Sequence, residues 1–305
     1  MILSDWKAIP GAARGATVAL GNFDGVHLGH RAVLRAAHAA RPELKLVALT
    51  FEPHPREHFR PDDPPFRLTL AGAKAEALMA AGADFVLALP FDAAFAAMPA
   101  EAFVSEVLHG ALDARHLSCG ADFAFGHRRG GDVAFLAARA EALGMGLSVV
   151  PPVTDAGGPL SSSRIRRVLQ DGYPERAARK LGRPWEIRGT VSHGDKRGRT
   201  IGFPTANIPL GRHLEPARGV YAIRATLPGG QVVPGVANIG LRPTVGGTES
   251  RVEAHLFDYQ GDLYGQEVSV ALLHFLRPEK RFAGLPELVA QIGADAAEAR
   301  RLLLG

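Results

Sequence analysis

Two rhythms of apolar residues divide this chain, and the change between them near residue 185 restricts its architecture more than any other feature. From about residue 14 to 185, short apolar runs alternate with Ala-rich stretches of helical spacing. Thr17–Leu20, Leu44–Phe51, Phe85–Leu89, His116–Cys119 and Leu147–Val150 are the expected strands, with helices expected over Thr69–Ala81, Ala100–Leu108 and Val133–Leu143. That βαβα order predicts an α/β domain: a Rossmann-like parallel sheet with helices on both faces. After about residue 185 the runs become short, β-branched or alternating: Gly189–Ser192, Val220–Thr226, Gln231–Asn238, Arg251–Phe257 and Glu267–Phe275. Turns such as Pro228-Gly229-Gly230 separate them, and a helical stretch from Pro286 to Leu304 follows. This pattern predicts a small antiparallel β-barrel with a C-terminal helix.

A chain of 305 residues is long enough for two such domains. The seam is expected at Leu181-Gly182-Arg183-Pro184, giving domains 1–183 and 184–305. An apolar content of 47% with 22% charged residues is that of an ordinary globular protein. No run approaches the ~18 apolar residues that span a bilayer, and no charged-then-apolar leader opens the chain. The single cysteine, Cys119, cannot form an internal disulfide. Together these predict a cytoplasmic protein with no membrane partner. A net charge of +4 suits anionic small molecules and does not by itself indicate nucleic acid.

The chemistry-bearing residues concentrate in four segments. Gly21-Asn22-Phe23-Asp24-Gly25-Val26-His27-Leu28-Gly29-His30 runs from the apolar stretch Ala16–Leu20 into the helical stretch Arg31–Ala40. A strand-to-helix junction of this kind attracts anions, and histidines three apart share one helical face. Gly120-Ala121-Asp122-Phe123-Ala124-Phe125-Gly126-His127-Arg128-Arg129-Gly130 combines flexible backbone, aromatic rings and guanidinium groups. Thr50-Phe51-Glu52-Pro53-His54-Pro55 reads only as a strand terminus with an extended exit. Ser161-Ser162-Ser163-Arg164-Ile165-Arg166 places serine caps before two arginines in a first helical turn. Cations there oppose the helix dipole, a conflict that a bound polyphosphate removes. In the second domain, glycines 194, 198 and 202 precede Phe203-Pro204-Thr205-Ala206-Asn207. Their amides can approach a phosphate chain, and Thr205 and Asn207 offer hard oxygen ligands.

GxFDGxHxGH and SSSxIR resemble the HxGH nucleotidylyltransferases, in their FAD synthetase branch. The segment 189–207 resembles the riboflavin kinase signature, followed in order by Pro216–Tyr221, Ala237–Thr244, Val252–Leu256 and Leu263–Gly265. Both motif sets together are similar to the bifunctional bacterial riboflavin kinase/FMN adenylyltransferases over roughly residues 14 to 302. The resemblance implies ATP as co-substrate, riboflavin, FMN and FAD as substrates or products, and Mg²⁺. It implies that Gly21, Asn22, Phe23, Asp24, Gly25 and Gly29 cradle the nucleotide, with His27 and His30 at the α-phosphate. Arg164, Arg166, Ser161, Ser162 and Ser163 would hold the β- and γ-phosphates, with Arg164 among the catalytic residues. Asp122, Phe123, Phe125 and Arg129 would lie near the flavin. Gly194, Gly198 and Gly202 would bind the second ATP, Thr205 and Asn207 the metal, and Glu253 would be the general base. Two departures from the family pattern, Asp122 and Ala124, bear on flavin contacts more than on the reaction.

Three rival readings compete with this one. Another HxGH transferase would have no need of the barrel motifs. A nucleic-acid binder would need stacking platforms and a basic stripe, whereas aromatic residues are 7% of this chain. A flavin-binding regulator would have lost one motif set, and both are intact. The expected partners are therefore small molecules and not nucleic acid. The oligomeric state, homo-oligomers included, is left open.

Overall fold

The computed structural model describes residues 1–193, 202–244 and 247–305, without the side chains of 242–244, 247 and 248. By contacts the chain forms two compact units. One comprises residues 1–64 and 70–161, the other residues 65–69 and 162–305.

The first unit is built on a six-stranded sheet. Its strands are β1 (Ile2–Leu3), β2 (Thr17–Leu20), β3 (Leu46–Glu52), β4 (Phe85–Pro90), β5 (His116–Gly120) and β6 (Gly146–Val150). They lie in the order β1-β4-β3-β2-β5-β6, and every pairing is parallel. The five expected strands match within two residues at each end, while the two-residue edge strand β1 is too short to register in an apolar pattern. Because successive side chains alternate across the sheet, its two faces build separate cores. On one face Val18, Leu20, Leu49 and Leu87 pack against Phe103, Val107, Leu108 and Leu136. On the other, Ala19, Ala48 and Val86 pack against Val33 and Leu34 of helix α1 (Leu28–Ala40) and Ala75 and Leu78 of α3 (Ala71–Ala80). Helix α2 is the single short stretch Pro55–Phe59. Two further short helices, α4 (Ala93–Ala96) and α5 (Ala100–Ala102), lead into Phe103–Ala111, whose turns widen to π geometry. Helix α6 spans Val133–Ala142, and a small hairpin pairs β7 (Thr154–Asp155) with β8 (Gly158–Pro159). The carboxyl ends of β2 and β3, side by side at the sheet centre, position the first site.

The second unit is an antiparallel sheet of β9 (Trp185–Thr190), β10 (Ala206–Pro209), β11 (Gly219–Thr226), β12 (Val232–Thr244), β13 (Gly247–Leu256) and β14 (Glu267–Pro278). Its order is β10-β13-β12-β11-β14-β9. A bridge between Ser192 and Asn207 joins the two outer strands and brings the sheet round on itself. The interior is filled by Ile187, Ile208, Tyr221, Ile223, Ile239, Val252, Ala254 and Val270. Two helices, α7 (Ser162–Gln170) and α8 (Pro174–Leu181), contribute Ile165, Leu169, Ala177 and Leu181 to the same core. Leu68 joins them, and its carbonyl accepts the Trp185 indole N–H at 2.8 Å. The C-terminal helix α9 (Leu285–Leu304) lays Ala296 and Ala299 against Val220, Ala222 and Val236 on the outer face of the barrel.

Candidate functional site

Strand β2 ends at Leu20, and the chain turns through Gly21–His27 before α1 begins. Phe23 (φ 52°) and Val26 (φ 42°) both adopt left-handed backbone there, though neither is glycine and Val26 is β-branched. Such conformations persist only where the surroundings hold them, and both side chains are fully buried. Gly21 and Gly29 leave room for this turn: a Cβ on Gly21 would meet the Phe23 ring at 3.1 Å. One on Gly29 would meet the His27 ring at 3.0 Å. Asp24 is buried as well.

His27 caps α1 with its own ring. Nδ1 accepts from Gly29 N–H (3.1 Å) and His30 N–H (3.4 Å), so the ring proton sits on Nε2. The His30 ring stacks on it at 3.6 Å and 20°, and Phe23 meets His30 edge-on at 5.3 Å. The sequence reading expected free helix amides to attract an anion. Two of those amides are taken by the imidazole instead.

Sequence reasoning missed the group beneath this turn. Lys74, in the first turns of α3, is 1% exposed, and its Nζ lies 2.6 Å from Glu52 Oε1. It also donates to Thr50 Oγ1 (3.0 Å), the Phe51 carbonyl (3.0 Å) and, more weakly, the Asn22 carbonyl (3.4 Å). Thr50 Oγ1 in turn donates to the Asn22 carbonyl at 3.0 Å. An ammonium group is buried only when its charge and hydrogens are met. A lysine inside an Ala-rich helix gives no such signal by spacing, although Thr50 and Glu52 lay in a segment read as a strand terminus.

In the loop after β5, Phe125 is buried against Phe103 and Phe135, and Phe123 stacks on it at 5.4 Å, while Asp122 and Arg129 are exposed. Cys119 is inert in this setting: burial, with Asp122's charge adding, pushes its thiol up to about 11.

The serine–arginine segment opens the second unit. Ser161 precedes α7, Ser162 and Ser163 begin it, and Ile165 is buried in the barrel core. Arg166 donates from Nε to the Phe66 carbonyl at 2.8 Å and lies over the Phe66 ring at 5.0 Å. Arg164 is half-buried in the same turn.

On the barrel, register brings two predicted residues face to face. Asn207 on β10 is directly opposite Glu253 on β13, and Asn238 on β12 flanks Glu253 from the other side. Directly opposed residues share a sheet face, here the outer one, because Val252 and Ala254 fill the interior. Thr205 precedes β10 by one residue, and Asn207 Nδ2 points to its carbonyl at 3.4 Å. His255 Nδ1–H donates to the Pro204 carbonyl at 2.9 Å and Phe203 meets its ring edge-on at 5.3 Å, which ties this segment to β13. Gly202 has a φ of 84° and is exposed, whereas Gly194 and Gly198 lie outside the described residues. Arg251, two residues from Glu253 and on its face, is 5% exposed. It bonds Glu249 at 2.7 Å, yet its Nε and Nη1 have no partner among the described residues. Its cross-strand neighbours are Pro209 and Gly240, whose side chains offer no acceptor.

Comparison with known proteins follows the same division. A family model described as FAD synthetase matches residues 9–164, and one described as riboflavin kinase matches residues 181–303. The bifunctional riboflavin kinase/FMN adenylyltransferase of Escherichia coli strain K12 is 43% identical, over 94% of this chain and 92% of the relative. That of Bacillus subtilis strain 168 is 37% identical, over 94% and 92%. A crystal structure described as a macrolide-efflux protein from Streptococcus pneumoniae superposes with a TM-score of 0.87 at 33% identity, covering 99% of this chain and 98% of that one.

Proposed function

The chain belongs to the bifunctional riboflavin kinase/FMN adenylyltransferase family, and from that premise we propose which residues carry each reaction. One activity phosphorylates riboflavin to FMN with ATP, and the other adenylylates FMN with ATP to give FAD and pyrophosphate. We assign the second to residues 1–183 and the first to residues 184–305. Efflux, named for the Streptococcus structure, is not carried over. Among the described residues no helix is long and apolar enough to cross a membrane.

In adenylyl transfer the FMN phosphate attacks the α-phosphorus of ATP, so the protein's task is to position and to neutralise charge. His27 serves with its Nε2–H, because Nδ1 is committed to backbone. His30 is held by the stack, and Gly21, Asn22, Phe23, Asp24, Gly25 and Gly29 shape the turn that receives the nucleotide. Arg164 and Arg166, with Ser161–Ser163, take the β- and γ-phosphates. Arg166 is anchored by its Nε on the Phe66 carbonyl. Asp122, Phe123, Phe125 and Arg129 border the flavin, with buried Phe125 acting as support for Phe123.

In the kinase, the carrying observation is the opposition of Asn207 and Glu253 across β10 and β13. Glu253 accepts the proton of the riboflavin 5′-hydroxyl late in a loose phosphoryl transfer, where a carboxylate of ordinary basicity suffices. Gly194, Gly198 and Gly202 line the ATP phosphates. The donor set fits Mg²⁺: Thr205 and Asn207 supply neutral oxygens, leaving the ion to be held largely by phosphate. When bound, the ion neutralises phosphate charge. We place the enzyme in the cytoplasm, with small molecules as its partners.

The test is a chromatographic product assay with riboflavin, ATP and Mg²⁺. Wild type makes FMN and then FAD. Glu253→Gln loses about 10²- to 10⁴-fold in FMN formation but still converts added FMN to FAD. His30→Ala with Arg164→Ala accumulates FMN and makes no FAD. Normal FMN formation in the first variant, or normal FAD formation in the second, refutes that assignment.

A further inference from the structure

We propose that Lys74 is a positioning residue for adenylyl transfer, acting through Thr50 on the Asn22–Phe23 peptide. This rests on the assignment of that reaction to the turn after β2. The Asn22 carbonyl is drawn toward the buried ammonium group by two donors, Thr50 Oγ1 at 3.0 Å and Lys74 Nζ at 3.4 Å. Thr50 Oγ1 accepts from Lys74 and donates to Asn22, so the hydroxyl relays the cation's hold to the turn. The peptide is trans, and in a trans peptide N–H and C=O point in opposite directions. Anchoring the carbonyl on the Lys74 side therefore sends the Phe23 N–H to the other side, away from the buried ammonium group. That amide adds a backbone donor to the turn, where the Gly29 and His30 amides are already capped onto His27. The anchored peptide immediately precedes Phe23, whose φ of 52° needs an external hold.

The rest of the Lys74 shell serves the same end. Glu52 Oε1 and the Phe51 carbonyl fix Nζ to the carboxyl end of β3. The turn is thereby referenced to two neighbouring strands of a rigid sheet and not to its own loop. A purely structural lysine would hold α3 to β3 without reaching Asn22. The contact with the Asn22 carbonyl, duplicated by Thr50, is what connects it to the phosphate turn.

The full-length chain tests this, with the kinase reaction as an internal control. In Lys74→Met we expect kcat/KM for ATP in FAD formation to fall about 10- to 100-fold, carried mainly by KM. Riboflavin phosphorylation stays within about twofold. Thr50→Val removes the relay with little change of shape and moves the adenylylation KM the same way by a smaller factor. If Lys74→Met is insoluble, Thr50→Val decides alone. An unchanged KM for ATP in the soluble variants, with kcat falling only as the folded fraction falls, overturns the proposal. Failure of the wild-type chain to make FAD would instead overturn the reading of the site.

Discussion

His116 shows how one buried ring links the central sheet to pH. It lies on β5, 9% exposed, with Nε2 2.8 Å from Ser148 Oγ on β6. A Cβ on its cross-strand neighbour Gly146 would come within 2.3 Å of Nδ1, so glycine is required there. Burial, with Arg41's charge adding, lowers its pKa below the usual histidine value. Below about pH 6.5 the unfolded chain binds a proton that the folded chain resists. Stability is therefore complete above that pH and falls as pH drops from it toward the lower folded value. Melting curves of wild type and His116→Gln should diverge as pH falls below about 6.5, with the wild type the steeper. Parallel curves would show that burial at this position carries no proton linkage.

At the scale of elements, candidate site residues are picked out by motif and by family resemblance. His27 and His30, and Arg164 and Arg166, are singled out by their spacing within longer motifs at a helix start, and Asn207 and Glu253 by the motifs of the family the chain resembles. The strand β10 was not anticipated, because Ala206–Pro209 is only four residues long and ends in proline. Lys74 and Arg251 were passed over for a common reason. Burial of a long cation depends on partners distant in sequence, and spacing within one helix or strand does not encode them. Helix α9 was readable from its length and pattern, and it still carries a glycine at its middle. Gly293 has an ordinary φ, and a Cβ there meets nothing within 4 Å. Nearby, Asp295 takes a bidentate bond from Arg277 of β14 (2.7 to 3.1 Å), which fixes the helix independently of that position. Gly293→Ala should stabilise the barrel transition by about 0.8–1 kcal/mol, raising its Tm by roughly 2–4 °C. A thermal melt with an unchanged or lower Tm would mean that this helix does not unfold with the barrel.

At the scale of the whole molecule, the unit that folds is larger than the stretch that resembles a kinase. The riboflavin kinase model begins at residue 181, whereas the compact unit begins at 162 and includes residues 65–69. Ile165, Leu169 and Leu181 are each at most 1% exposed within the barrel core. Burying three such side chains is worth roughly 5–9 kcal/mol, which is comparable to the ~5–15 kcal/mol that holds a typical domain together. A fragment spanning 184–305 lacks all three and should show no cooperative melt and little FMN formation. A fragment spanning 162–305 regains them and should melt cooperatively and phosphorylate riboflavin. It remains weaker than the full chain, because Leu68 and the carbonyl that receives the Trp185 indole are still missing; that orphaned N–H alone costs about 1–3 kcal/mol. Calorimetry of the three chains, with kinase turnover measured alongside, separates the alternatives. If the 184–305 fragment melted as the barrel of the full chain does, the two helices would be accessories to a core complete without them.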